Sequence, residues 1–130
     1  MVKVFYTTLI FFIFISCDTP GRLIIKNNLK NPIHYKSELV IDQGSAKTKV
    51  HLDTISTSDE RIILFGFGFK WNSDYCQRYY TDRCKYLEFS TLEDTVRFDS
   101  PEEILTLFEQ NKRGLRNKTV KIKLKKLFEE

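Results

Sequence analysis

The side chains of this chain that could do chemistry are few: Cys17, Cys76, Cys84, His34, His51, the adjacent pair Glu102-Glu103, and a crowd of aromatic and cationic residues between Trp71 and Arg83. A nucleophilic thiol needs a base within hydrogen-bonding reach, and neither histidine shares a motif with a cysteine. Metal chemistry is no better served, because the cysteines lack Cys-x-x-Cys spacing and the histidines lack ligand spacing, so no metal and no cofactor is expected. Glu102 and Glu103 fall where a helix would begin, and the positive end of the helix dipole accounts for them without acid-base catalysis. Gly66-Phe67-Gly68 lacks the third glycine and the following helix of a phosphate loop. The residue types therefore point to a non-enzymatic protein. Trp71, Tyr75, Arg78, Tyr79, Tyr80 and Arg83 belong to the classes most enriched at binding hot spots, which makes them candidate contacts for a protein partner. The competing reading folds the same aromatic loop back over the domain.

The elements that would position these residues are mostly strands, because period-two alternation outnumbers helical periodicity. Arg22-Leu23-Ile24-Ile25-Lys26 reads as a strand closed by the turn pair Asn27-Asn28, and Ile33-His34-Tyr35 as a second. Thr48, Val50 and Leu52 alternate with Lys49 and His51, which predicts the first set inward and the second in water. Arg61 to Trp71 is the strongest strand pattern, with Ile63, Phe65, Phe67, Phe69 and Trp71 on one face. Lys85 to Phe89 and Thr95 to Phe98 continue the series. One helix is expected from about Ser100 to Asn111: Ser100 and Glu103 form a capping box, Pro101 suits the first turn, and Ile104, Leu105, Leu107 and Phe108 make an apolar stripe. Val120, Ile122 and Leu124 then alternate with Lys121, Lys123 and Lys125 in a final strand spanning Lys118 to Phe128. Its lysine face reads as a solvated face or protected edge or, joined by Lys112, Arg113, Arg116 and Lys126, as a basic patch for anionic headgroups or an acidic partner. The fold class is mainly β, a small antiparallel sandwich or curved sheet with one helix in the C-terminal half.

The N-terminus carries Lys3, an apolar run from Val4 to Ile15 and the small residue Ser16, the parts of a secretory signal, and the run is too short to span a bilayer as a helix. Phe14-Ile15-Ser16-Cys17 resembles the lipobox of bacterial lipoproteins, with an aromatic residue at the first position as in the looser Bacteroidota form. Ile24-Ile25-Lys26-Asn27-Asn28 and Pro32-Ile33-His34-Tyr35 are similar to the opening of small Bacteroidota lipoproteins. The resemblance implies a signal peptide over 1–16, acylation of Cys17, a short lipidated tether over 17–21 and a single β-rich domain over 22–130. It places the domain in the cell envelope, bound to a membrane through its N-terminal lipid. The outer membrane is the favoured site, with its periplasmic side or surface left open. With Cys17 committed to lipid, Cys76 and Cys84 remain as an even pair in an oxidising compartment, and a disulfide between them would contribute about 2.5 kcal/mol. Export removes the usual nucleic-acid targets, and the net charge of +4 is modest. The function implied is an anchored binding or structural component of the envelope. The alternative is an inhibitor or immunity lipoprotein that blocks a hydrolase or toxin through the Cys76-Cys84 loop.

Overall fold

Leu23 and Ile25 lie on one side of a strand and Arg22 and Lys26 on the other, so the first apolar run can bury one face while wetting most of the second. The computed structural model describes residues 21–42, 44, 47–66, 80–114 and 119–129. Within them, β1 (Gly21–Lys26), β2 (Ile33–Asp42), β3 (Lys47–Ile55), β4 (Glu60–Gly66), β5 (Cys84–Ser90), β6 (Thr95–Phe98), α1 (Pro101–Gln110), β7 (Lys112–Arg113), β8 (Thr119–Lys123) and α2 (Lys125–Phe128) follow one another. The strands make two four-stranded sheets, sheet A in the order β4-β1-β8-β7 and sheet B in the order β3-β2-β5-β6. The chain is thus a mainly β protein in the form of a small sandwich. Sheet A is mixed, because β8 runs parallel to β1 while the other pairings are antiparallel.

A single apolar core fills the space between the sheets. It joins Leu23 and Ile25 of β1, Val120 and Ile122 of β8, Ile33 and Tyr35 of β2, Leu87 and Phe89 of β5, and Ile104, Leu107 and Phe108 of α1. Burying each such side chain contributes about 1.5–3 kcal/mol, which orders α1 against β5 and β8. Its start is as the sequence predicts: the Ser100 hydroxyl accepts from Glu103 N–H at 3.2 Å, and the Glu103 carboxylate accepts from Ser100 N–H at 3.3 Å. Asn111 is the C-cap, its side chain donating to the Leu107 carbonyl at 2.8 Å.

Asn27 fixes how the chain passes between sheets. Fully buried, its amide donates to the carbonyls of Asn31 and Ile55, each at 2.9 Å, while its side-chain oxygen accepts from Leu29 N–H at 3.0 Å. Its own N–H reaches the Asp59 carbonyl at 3.0 Å, in the turn where Ser58 takes a left-handed φ of 66°. Asn28 adds a tie to the C-terminus by accepting from Lys125 N–H at 2.7 Å.

Several sequence expectations change. The alternation in β3 is read correctly in period but inverted in phase. Ser37, fully buried on the inner face, lies opposite His51, whereas Lys36 and Glu38 on the outer face lie opposite Leu52 and Val50. Leu52 is consequently 72% exposed and Val50 48%. Because β3 is a sheet edge, its inner-face positions reach water beyond the core and tolerate Lys49 and His51. The strong strand begins at Glu60 and is described only to Gly66, with Ile62 outward and Ile63 packed on the core; its expected continuation to Trp71 lies outside the described residues. The final strand stops at Lys123, where Leu124 turns inward and α2 begins.

Candidate functional site

Of the residues expected to contact a partner, Trp71, Tyr75, Arg78 and Tyr79 lie outside the described residues, as do Cys17 and Cys76. Tyr80 belongs to the core and not to an exposed loop: it is 2% exposed, and its ring packs against Phe108 with centroids 5.6 Å apart. Its hydroxyl lies 2.8 Å from that of Tyr35, which donates to Ser37 Oγ at 2.7 Å. The physical reason is satisfaction: a buried phenol needs a polar partner, and the inner face of β2 offers two in register. Arg83 is half-buried just before β5, and its carbonyl accepts from Val40 N–H at 2.7 Å.

Cys84 carries a free thiol at the start of β5, so the expected bridge to Cys76 is not made in this structure. The thiol is 3% exposed and donates to the Tyr86 carbonyl at 3.1 Å. Burial pushes it up to about 11, against weaker lowering by Tyr80 and the Tyr86 carbonyl. Burial likewise raises Tyr35, and raises Tyr80 well above the ordinary phenol range. This cluster of hydroxyls and a thiol is therefore held protonated. It braces the junction of β2, β5 and α1 and presents no nucleophile. His34 and His51 stand on opposite faces of sheet B, since His34 lies opposite Thr54 and His51 opposite Ser37. His34 Nδ1 and Thr54 Oγ1 are 3.0 Å apart.

The lysine expectation is corrected in its geometry. β8 is not a bare edge strand: β7 pairs with it at Thr119 and Val120, and the Asn111 carbonyl accepts from Lys121 N–H at 2.9 Å, so of its lysines only Lys123 stands past those partners. Lys121 ion-pairs with Glu60, whose carboxylate is lowered chiefly by that hydrogen bond and further by Lys26 at 3.5 Å. Lys123 is exposed on the same face. Lys125 has left the strand for α2, where it pairs with Glu129 at 3.3 Å. Lys112 turns to Glu109 at 2.5 Å.

Strand register assembles a different basic set. Arg22, Ile24 and Lys26 of β1 lie opposite Thr119, Lys121 and Lys123 of β8, while Arg113 of β7 lies opposite Thr119 and Glu60 of β4 opposite Lys26. The outer face of sheet A thus holds five cations, Arg22, Lys26, Arg113, Lys121 and Lys123, against the one carboxylate Glu60 among its described ladder residues. Sheet B differs: on its outer side Lys36, Lys85 and Arg97 stand with Glu38 and Glu88, and each carboxylate is paired, Glu38 with Lys85 at 2.9 Å and Glu88 with Arg97 at 3.1 Å. There Tyr86 sits beneath Arg97, with Cζ 4.0 Å from the ring centroid, and Lys36 at 5.6 Å. Arg97 in turn reaches Asp99 at 2.6 Å and Glu88 at 3.1 Å. Arg22 and Lys26 join the patch only through strand pairing. Their period-two alternation matches that of Lys121 and Lys123, but no local signal tells which distant strand lies alongside.

No family model, curated protein or solved structure matches the chain.

Proposed function

We propose that this chain is a lipid-anchored protein of the bacterial cell envelope, cleaved before Cys17, acylated there, and serving a non-enzymatic binding or structural role through its β-sandwich. The observation that carries the reading is the apolar run Leu9 to Ile15 ending at Ser16-Cys17, only four positions before β1 begins at Gly21. One acyl chain binds a bilayer marginally, but two or three hold it stably, so no membrane-spanning helix is required. Support for a binding or structural role comes from the buried thiol and phenols, which are tied into the core in their protonated forms. The toxin-inhibitor reading loses two of its supports, the contact residue Tyr80 and the bridge at Cys84.

The test is Cys17→Ser in a bacterial host fed an alkyne-tagged fatty acid. The native chain is expected to take up the tag and sediment with membranes, and the variant to lose both. Persistence of tag and sedimentation in the variant overturns the assignment.

A further inference from the structure

We infer that the outer face of sheet A is the surface that lies on the membrane, its cations seated on anionic phospholipid headgroups. The inference rests on the lipid-anchored reading and names the face that reading leaves open. Three observations converge. The first is charge: this face carries five cations and one carboxylate, a net +4, more than the +3 left on the chain once cleavage removes Lys3, while the outer side of sheet B sets three cations against two paired carboxylates. The second is freedom. Arg22, Arg113 and Lys123 are exposed, and Lys26 and Lys121 share the single carboxylate of Glu60, so most of the positive charge is uncompensated. Arg113 donates to its neighbour's carbonyl, Lys112 O, at 2.8 Å and makes no ion pair within 4.0 Å with an acid among the described residues.

The third observation is reach. Four residue steps from Cys17 to Gly21 extend at most about 14 Å, so the first strand of sheet A starts within that distance of the acylated residue. Arg22 of β1 and Arg113 of β7 stand at the tethered end, flanking Thr119, and Lys26 and Lys123 at the far ends of β1 and β8, so laying the sheet flat brings all of them to the headgroup layer. Ile62, 52% exposed beside Ile24, adds an apolar point near the middle of the face. Standing the domain upright would engage only the near pair.

The experiment uses the full native chain, purified from membranes and reconstituted on vesicles of phosphatidylcholine alone or with about one-third phosphatidylglycerol. Lysines are modified with an amine-reactive ester and quantified by peptide mass. Lys26 and Lys123 are expected to react about fivefold more slowly on the anionic vesicles, with Lys47 and Lys49 of β3 unchanged and the difference abolished by 0.5 M salt, roughly the regime where screening collapses to a few ångströms. Arg22→Gln/Arg113→Gln/Lys123→Gln, which spares the Glu60 pairs and the core, should melt no lower than the native chain and lose the protection at Lys26. The mass of the N-terminal peptide reports acylation independently. An acylated chain with equal lysine rates on both vesicles overturns this inference and leaves the anchor standing, as does protection of Lys47 and Lys49 instead. An unacylated chain overturns the anchor; the face is then read by sedimentation with anionic vesicles, which the triple variant should weaken about a hundredfold, and failure of the native chain to sediment overturns it.

Discussion

Replacing Tyr80 separates a core residue from a contact residue. Its ring is 2% exposed against Phe108, and its hydroxyl closes a chain through Tyr35 to Ser37. Truncation to alanine removes a buried aromatic ring and leaves a cavity, a change that costs about 3–5 kcal/mol. A domain of this size has only about 5–15 kcal/mol to lose. At roughly 4 °C per kcal/mol, Tyr80→Ala should lower the melting temperature by about 12–20 °C. Tyr80→Phe is the informative companion, because it keeps the ring and deletes one hydrogen bond. Tyr35 still donates to Ser37, so the expected cost is about 1 kcal/mol, or about 4 °C. Thermal denaturation followed by circular dichroism on the full chain, with urea titration as a second measure, reads both. An exposed contact residue would tolerate either change within about 0.5 kcal/mol. If Tyr80→Ala melts within about 2 °C of the native chain, the placement of Tyr80 in the core is wrong and the argument against an exposed aromatic loop at this position fails with it.

Cys84 should be inert in the folded chain: with its thiol up at about 11, the thiolate fraction at pH 8 is about a thousandth, so alkylation should run over a hundredfold slower than in urea. Equal rates, or recovery of Cys84 bridged to Cys76, would contradict this. The same raised value makes a stability statement. The group's contribution is whole below the unfolded value near 9 and drains away as pH climbs toward 11, so Cys84→Ala should flatten the alkaline loss by roughly 2 kcal/mol in a pH series of urea melts. Asn27→Ala removes two donated bonds and one accepted bond at a fully buried site, an expected loss of about 3 kcal/mol by urea titration. Asn27→Asp keeps the acceptor for Leu29 N–H but sets a carboxylate against two carbonyls, so it should be less stable at pH 7 than at pH 4; equal stability at both would refute the assigned amide orientation.

Local signals were legible where local physics decides them. Ser100, Pro101, Glu103 and Asn111 bound α1 because caps and first-turn preferences act within four residues. Asn27-Asn28 marks a turn for the same reason, although the partners of those amides, Ile55 and Lys125, lie far along the chain. What was not legible is pairing. Period two shows that β3 has two faces but not which one meets the core, and a one-residue error turns Leu52 and Val50 from buried to exposed. Among the described elements, β3 is the long edge, and it carries Lys47 and Lys49, whereas β8 is paired with β1 along its length and with β7 at Thr119 and Val120. Hot-spot composition describes a side chain's capacity and not its direction, so it leaves Tyr80 open between an exposed contact and the inward-folded position it takes.

The parallel pairing of β1 with β8 is the step that ties these points together. It brings the first described strand beside the last across almost a hundred residues, and the same register does two things at once. Leu23 with Val120 and Ile25 with Ile122 complete one wall of the core, while Arg22, Lys26, Lys121 and Lys123 are gathered on the opposite side. Like charges in adjacent strands repel, so this arrangement costs stability unless something relieves it. Glu60 relieves part, reaching both Lys26 and Lys121, and its lowered carboxylate records the attraction. Nothing comparable reaches Lys123 among the described ion pairs, and Arg22 and Arg113 at the other end remain exposed. A sheet face selected for stability alone would interleave acids, as the outer face of sheet B does with Glu38 and Glu88. The uncompensated charge on sheet A is better explained by a surface that meets negative charge outside the chain, and in the proposed lipid-anchored form the short tether before Gly21 would bring that face to the bilayer.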